Sequence, residues 1–486
     1  MIKEVIFDNF RNLSGKYQLD EGINVIVGKN SSGKTNFLDG LKLAFYTLVG
    51  DYFPVSLGDF KDSDDSHPII IDVVLLEDSI PSLISINSKK ESEWGFKVIV
   101  KRTQSGRYLK QVRLLNGSTI DIETTREDKK LPKIHSIPLQ RIEDILIPGL
   151  TLGISKFIES DVQYKNIIRD SKIDIKKQIS KKESEFKKMC LMFNQNLSIE
   201  LSDPKISNER LFVVDGDKEH NARIGSGYKS IANIFINSIN DDFNIILIDE
   251  IENHLHPSLI RSLIRELRKI ENIMVITTSH SPVVINELFL KEIIHISGLK
   301  LSDIHDDQDG NIKRKLNKFL HPGRNELILA DNIILVEGYT EELLIRNYLV
   351  QNNKNWTVVN VAGVMFEPYV ILAAFLNKNI VVISDNDFAL SLEKKNSDRF
   401  VKLEELCNKH NIKLLEVYNT LESDLYKNKY LTKEFDSLLK KHINFPDVSI
   451  AKEKKKTEIA EMLIEKNVDL SDWHIIKGIN DEFKSN

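Results

Sequence analysis

The eight residues Gly28-Lys29-Asn30-Ser31-Ser32-Gly33-Lys34-Thr35 follow the apolar run Ile23-Asn24-Val25-Ile26-Val27 and precede a helical-looking stretch, Asn36 to Leu48. A G-x-x-x-x-G-K-[ST] loop in that setting dictates its surroundings: a strand must end, backbone amides must wrap an anion, and a helix must begin. The glycines let the amides turn inward, Lys34 suits the β/γ oxygens of a nucleotide, and Thr35 suits Mg²⁺. Gly28, Asn30, Gly33, Lys34 and Thr35 are therefore the expected ATP-binding residues, and the surrounding architecture is expected to be α/β.

At 486 residues the chain exceeds one ordinary core, so two or three domains are expected. No apolar run approaches the roughly 18 residues of a membrane span, and the N-terminus lacks a secretory apolar segment. Cys190 and Cys407 are the only cysteines, which argues against a disulfide framework or a Cys-rich zinc site. A cytoplasmic protein with no membrane partner is expected. The net charge of −5 argues against a generally basic surface, but residues 165–190 carry nine Lys/Arg against four Asp/Glu, a local patch that could meet nucleic acid.

Texture along the chain changes three times. Residues 1–150 and 206–322 read as one discontinuous α/β domain, with antiparallel alternation in "PIIIDVVLL" and "FKVIVKR" and a βαβ rhythm through "FNIILID" and "NIMVITTS". Between them, 151–205 is Lys-rich, with a stripe at Ile168, Ile175, Ile179, Phe186 and Met189 that predicts an amphipathic helical insertion, a dimerisation or structural arm. The rhythm restarts over 328–486, after a polar joint at 300–325.

"IILIDE" ends in Asp249, placed for the Mg²⁺ shell, and Glu250, placed to orient or deprotonate an attacking water. One βα unit later "TTSHSP" brings His280 to a strand end, within reach of a γ-phosphate. "RIGSGYKS" offers Ser226 and Gly227 ahead of a helix, able to cap the γ-phosphate of a nucleotide in a second subunit. These four elements, in their order and spacing along the chain, resemble the ABC-type ATPases of the SMC and RecF kind, which sandwich two ATPs between two heads. The resemblance implies a homodimer or higher homo-oligomer. It departs in having "GSGYKS" where transporters have "LSGGQ", and "ENHLHP" at 252–257 matches the E-x-H-L-H-P of the RecF/OLD branch.

The second half poses its own question. "IILVEGYTEELL" sets Glu337, Glu341 and Glu342 behind a buried-looking strand, and "NIVVISDND" ends another strand with Asp385 and Asp387. The i, i+2 spacing predicts both aspartates on one face. If the strands are parallel neighbours, Glu337, Glu341, Asp385 and Asp387 converge at the sheet's C-terminal edge. Four carboxylates there repel unless a counter-charge is supplied, and hard oxygen ligands suit Mg²⁺ or Mn²⁺. Two such ions could stabilise the attacking and leaving oxygens of a phosphodiester. Glu342 reads as an ordinary solvated acid.

This pattern resembles the Toprim domain. An ABC-type head followed by a C-terminal Toprim resembles the OLD family (overcoming lysogenisation defect) of ATP-dependent DNA nucleases. The resemblance implies an ABC/SMC-like head with a helical insertion, then a parallel-sheet, Rossmann-like Toprim domain. It also implies a metal-dependent DNA endonuclease or nickase, in bacterial anti-phage defence. Gabija-type relatives act with a helicase-like partner and others with a retron reverse transcriptase and its single-stranded DNA. Carried over by motif, Gly363 lies between the acidic strands and "YNTLESDL" offers Glu422, or Asp424 in its place, as a further metal-side residue. "KKKTEIAEML" offers Lys456, or its neighbours Lys454 and Lys455, to offset transition-state charge. Two other readings stand beside the nuclease: a nucleotide-switched SMC/RecF-like DNA-binding scaffold, and a topoisomerase or primase on the same Toprim site.

Overall fold

The computed structural model describes residues 1–76, 94–119, 134–137, 197–201, 211–215, 231, 234, 244–304, 311–319, 326–363, 365–388, 396–427 and 456–485. The chain divides into two compact units, Met1–Ser302 and Asp303–Asn486.

The first unit has two five-stranded sheets. One is antiparallel, in the order β2 (Leu13–Gln18), β1 (Ile2–Phe10), β4 (Ile69–Leu75), β5 (Gly95–Arg102), β6 (Tyr108–Leu114). The alternating burial of β4 is the mark of a sheet with one covered face. The other is parallel, in the order β12 (Ile293–His295), β3 (Ile23–Val27), β11 (Met274–Ser279), β10 (Ile245–Ile248), β7 (Ile134–Ile137). Strands β3, β10 and β11 are buried at every position, which accounts for their apolar or hydroxyl-bearing residues, and the one exception, Asn24 of β3, exchanges hydrogen bonds with the Asp20 backbone.

Helix α1 (Lys34–Leu48) belongs to the core that these sheets share: Phe37, Leu38, Leu41 and Phe45 pack in one cluster with Val5 and Phe7 of β1 and with Leu247 and Ile276 of the parallel sheet. Gly40 sits inside α1 although glycine there costs about 1 kcal/mol relative to alanine. A Cβ at that position would fall 2.3 Å from the ring of Phe7, so the glycine admits the close approach of helix and sheet. A separate antiparallel pair, β8 (Leu197–Leu201) with β9 (Leu211–Asp215), places a strand at the end of the stretch read as helical. The remainder of the 151–205 insertion lies outside the described residues.

Further along are α2 (Pro257–Leu267) and α3 (Pro282–Asn286), each opening on proline at its first turn, where the missing N–H is not needed.

The second unit is built on a four-stranded parallel sheet in the order β14 (Thr357–Asn360), β13 (Asn332–Val336), β15 (Asn379–Asp385), β16 (Lys413–Val417). Its helices among the described residues are α4 (Asn311–Phe319), α5 (Glu326–Leu329), α6 (Tyr339–Gln351), α7 (Phe366–Phe375), α8 (Asp398–Lys409), α9 (Leu421–Lys427), α10 (Lys456–Glu465) and α11 (His474–Ser485). One core cluster joins β13 and β15 to Leu344 and Ile345 of α6, Leu463 of α10, and Trp473 and Ile476 near and on α11. Because β13 is followed on one side by β14 and on the other by β15, the order reverses between β13 and β15. In open parallel sheets that switch point, at the C-terminal ends of the strands, is where a crevice forms. The parallel α/β expectation for both halves holds.

Candidate functional site

Two constellations stand out, one in each unit. In the first, the loop Gly28–Gly33 joins β3 to α1. Gly33 caps the helix at φ 105°, and a Cβ there would lie 2.5 Å from Asn12 Oδ1, so glycine is required by both conformation and space. Asn12 holds the loop from outside, its amide donating to the Ser32 carbonyl at 2.9 Å. Lys34 is buried, and its Nζ donates to the carbonyls of Gly28 (2.9 Å) and Lys29 (2.8 Å). Burial pulls its pKa below the ordinary lysine value, although the nearby charges of Glu250, Glu252 and Asp249 act in the opposite direction.

Thr35 Oγ1 lies 3.1 Å and 3.2 Å from the two carboxylate oxygens of Asp249, so the hydroxyl and carboxylate expected around Mg²⁺ do meet. Strand β11 lies between β3 and β10 and supplies a link that sequence reasoning missed. The buried Thr278 hydroxyl donates to Asp249 Oδ1 at 2.6 Å and accepts from the Glu250 amide at 2.7 Å. One side chain therefore orients both acids. Glu250 is held at φ 50°, in the left-handed region that side chains rarely adopt.

His280 follows β11 as expected. Its Nδ1 lies 3.4 Å from Glu250 Oε1 and 3.3 Å from Glu252 Oε1, near enough for ion pairing when protonated but without hydrogen-bond alignment. Glu252 also accepts from the His280 amide (2.9 Å) and the Ser279 hydroxyl (3.1 Å), fixing the backbone that carries the imidazole. Asn30 belongs to the same loop, with its side chain exposed. Ser226 and Gly227 lie outside the described residues.

The second constellation lies at the β13/β15 switch point. Register pairs Val336 with Ile383, so Glu337, just past the end of β13, stands beside Ser384 of β15, and the Ser384 hydroxyl is 3.4 Å from Glu337 Oε2. Glu341 sits in the first turn of α6 and is buried. Gly338, the residue ahead of that helix, has no side chain to obstruct it: a Cβ would stand 2.9 Å from Glu341 Oε2. Gly363, at φ 90°, donates its amide to the Glu337 carbonyl at 2.7 Å and so ties the β14 end to the acidic turn.

Strand alternation does not relate the two aspartates. Strand β15 stops at the buried Asp385, and Asp387 follows in a left-handed turn at φ 52°. Asn386 between them is a structural pin whose Oδ1 accepts from the amides of Phe388 (3.1 Å) and Asn419 (2.7 Å). Glu342, read as solvated, pairs with Arg346 at 3.0 Å and accepts from Asn360 at 3.2 Å.

The expected meeting of all four carboxylates is not seen among the described residues. What links the Glu337 and Asp387 side chains is a residue that no motif singled out. Arg399, in the first turn of α8, places Nη1 3.0 Å from Glu337 Oε1 and Nη2 3.0 Å from Asp387 Oδ2. Burial works against its charge, but the hydrogen bond and charge of Glu337, with Asp387 and Asp385, outweigh it and hold its pKa above the ordinary arginine value. Among the described residues, no three His, Cys, Asp or Glu side chains already stand together as a metal shell. The donor chemistry nonetheless suits a hard cation. Glu422, 4% exposed at the start of α9, has both carboxylate oxygens buried with no hydrogen-bond partner, an arrangement that a cation would satisfy.

Asp424 is a different case. It accepts from the Trp473 indole at 2.6 Å and from the Tyr418 amide at 3.3 Å, so its carboxylate serves the core. Lys456 is the first residue of α10, whereas Lys454 and Lys455 lie outside the described residues.

Comparison with known proteins places this geometry. The family described as "AAA domain, putative AbiEii toxin, Type IV TA system" matches residues 23–286, more than half of the chain. The family described as "Overcoming lysogenization defect protein-like, TOPRIM domain" matches residues 328–387. The chain is 27% identical over 219 residues to Endonuclease GajA of Bacillus cereus (strain HuB5-5), covering 38% of this chain and 32% of that protein. It is 22% identical over 445 residues to Endonuclease GajA of Bacillus cereus (strain VD045), covering 80% and 76%. It is 24% identical over 283 residues to DNA replication and repair protein RecF of Clostridium botulinum (strain Eklund 17B / Type B), covering 52% and 67%. Thus it spans about a third of the first of these relatives and about three quarters of the second. Among solved structures, an SMC head bound to the C-winged helix domain of ScpA gives a TM-score of 0.45 at 14% identity, covering 60% of this chain and 93% of that one. The chain belongs to the AAA-domain family that matches its first half, and it carries an OLD-like TOPRIM domain in its second.

Proposed function

We propose that this protein is an ATP-regulated, divalent-metal-dependent DNA endonuclease or nickase, acting in bacterial defence against phages. The observation that carries the reading is the acidic edge at the β13/β15 switch point, with Glu422 left unsatisfied beside a TOPRIM match. Its support by likeness is the pair of GajA proteins named endonucleases. Glu337, Glu341, Asp385, Asp387 and Glu422 would hold Mg²⁺ or Mn²⁺, which supplies an activated water and offsets charge on the phosphodiester. Lys456 would offset further charge as the phosphorus gains its fifth oxygen.

In the other unit Lys34 would hold the β/γ-phosphates of ATP, with Thr35 and Asp249 around its Mg²⁺, Glu250 on the attacking water and His280 at the γ-phosphate. Ser226 and Gly227 would cap the nucleotide of a second copy, making the working form a homodimer or larger. A helicase-like protein or a retron reverse transcriptase with its single-stranded DNA is the class of partner such a nuclease would take. No described helix is long and apolar enough to cross a membrane.

The SMC/RecF-like scaffold remains the second reading, supported by the RecF relative. Supercoiled plasmid incubated with Mn²⁺ or Mg²⁺ separates them. Nicked or linear product from the wild type, lost in Glu337→Ala and altered in its ATP response in Lys34→Ala, is expected. Relaxed closed circles would point to a topoisomerase, and DNA left intact by the wild type would sink the nuclease.

A further inference from the structure

Arg399 bridges the two strand ends of the acidic edge. Besides its 3.0 Å approaches to Glu337 and Asp387, Nη2 lies 3.2 Å from Glu337 Oε2 and donates to the Asp385 carbonyl at 3.1 Å. One guanidinium thus spans both strand ends of the switch point. Its placement is built in. Ser397 caps α8, its Oγ accepting from the Phe400 amide at 3.3 Å, while its own amide donates to the Asn386 carbonyl at 3.0 Å. The helix carrying the arginine is therefore anchored on the residue between the two aspartates.

We infer that Arg399 is the resident counter-cation of this edge, a positioning residue that holds Glu337 and Asp387 in register and is displaced when a divalent ion binds them. The inference rests on the metal-site reading above and adds to it how the site is kept assembled. Two carboxylates at adjoining strand ends repel, and a guanidinium whose Nη2 donates to both, at 3.2 Å and 3.0 Å, while Nη1 stands 3.0 Å from Glu337 Oε1 without hydrogen-bond alignment, offsets that repulsion. The same lone pairs of Glu337 and Asp387 cannot serve a guanidinium and a divalent ion together, because two cations a few ångströms apart repel strongly in a half-buried setting. Arg399 has a long flexible stem and is 24% exposed, so it can withdraw toward solvent without moving α8. A freed guanidinium at the crevice would then face the phosphate of a bound strand, which it matches bidentately. Metal and DNA would therefore favour each other's binding through this one side chain.

Calorimetric titration of Mn²⁺ into the full, nucleotide-free chain tests this, with Glu337→Gln identifying which isotherm belongs to the edge. Arg399→Gln removes a cation that competes for the same carboxylates and should bind Mn²⁺ about tenfold tighter than the wild type, while its metal-free form unfolds at a lower temperature. Arg399→Lys, which keeps a charge on a shorter side chain without the planar guanidinium, should fall between them and serves if the glutamine variant does not fold. Unchanged or weaker Mn²⁺ binding in folded variants, with the wild type binding normally, overturns the counter-cation role alone. Failure of both wild type and variant to bind Mn²⁺ at the edge overturns this role together with the metal site.

Discussion

Glu422 and Asp424 are two residues apart on α9, and either could be the further metal-side acid on sequence grounds. Their surroundings assign them opposite tasks. Asp424 is bonded to the Trp473 indole, 49 positions away, whereas Glu422 buries two unpartnered oxygens. Removing the Asp424 bond should cost about 1.5–3 kcal/mol, since it is a buried hydrogen bond to a charged group. Asp424→Ala, which removes both acceptor oxygens, should therefore lower chemical-denaturation stability by at least about that amount and leave Mn²⁺ affinity within about twofold. Glu422→Met, which removes both unsatisfied oxygens at similar volume, should stabilise the metal-free chain by about 1–3 kcal/mol and weaken Mn²⁺ binding at least about tenfold. If the two variants exchange these phenotypes, the assignment is wrong. Sequence could not separate them because the deciding partner lies in another element. Arg399 was hidden for the same reason: nothing local to "SDRF" marks it as facing Glu337, 62 residues earlier.

At the scale of elements, much was legible. Parallel strands covered on both faces are mostly apolar, so β3, β10, β13 and β15 announce themselves, and the Gly-rich loop fixes a strand before it and a helix after it. The adjacency of β13 and β15, on which the acidic edge depends, was conditional in the sequence and is direct in the sheet. Backbone sign was not legible: Asp387 and Glu250 adopt positive φ without being glycine, because tertiary contacts override a local preference. Thr278 shows how β11 disciplines its neighbour β10. Thr278→Val removes the hydroxyl that orients Asp249 and Glu250, and ATP turnover should fall about 10–100-fold with nucleotide affinity changed far less. Turnover at the wild-type rate would show that the Thr278 bridge is packing only.

For the molecule as a whole, the division at Ser302 and Asp303 gives each constellation its own compact unit. Ligands should then stabilise the units separately. A ligand at about 100 times its Kd adds about 2.7 kcal/mol to the unit that binds it. In scanning calorimetry a slowly hydrolysed ATP analogue with Mg²⁺ should raise one transition, and Mn²⁺ alone should raise the other. Lys34→Ala should abolish only the first shift. A single transition moved equally by both ligands would mean that the two units unfold as one.

The acidic edge can be tested most directly through Asp385, the residue that ends β15 at the switch point. The measurement is the initial rate of Mn²⁺-dependent plasmid cleavage by Asp385→Asn against wild type, with matched thermal midpoints showing that both are folded. Loss of a carboxylate that holds the metal should slow cleavage by about 100-fold or more. Cleavage within about twofold of wild type would mean that phosphodiester chemistry, if the chain performs it, happens elsewhere.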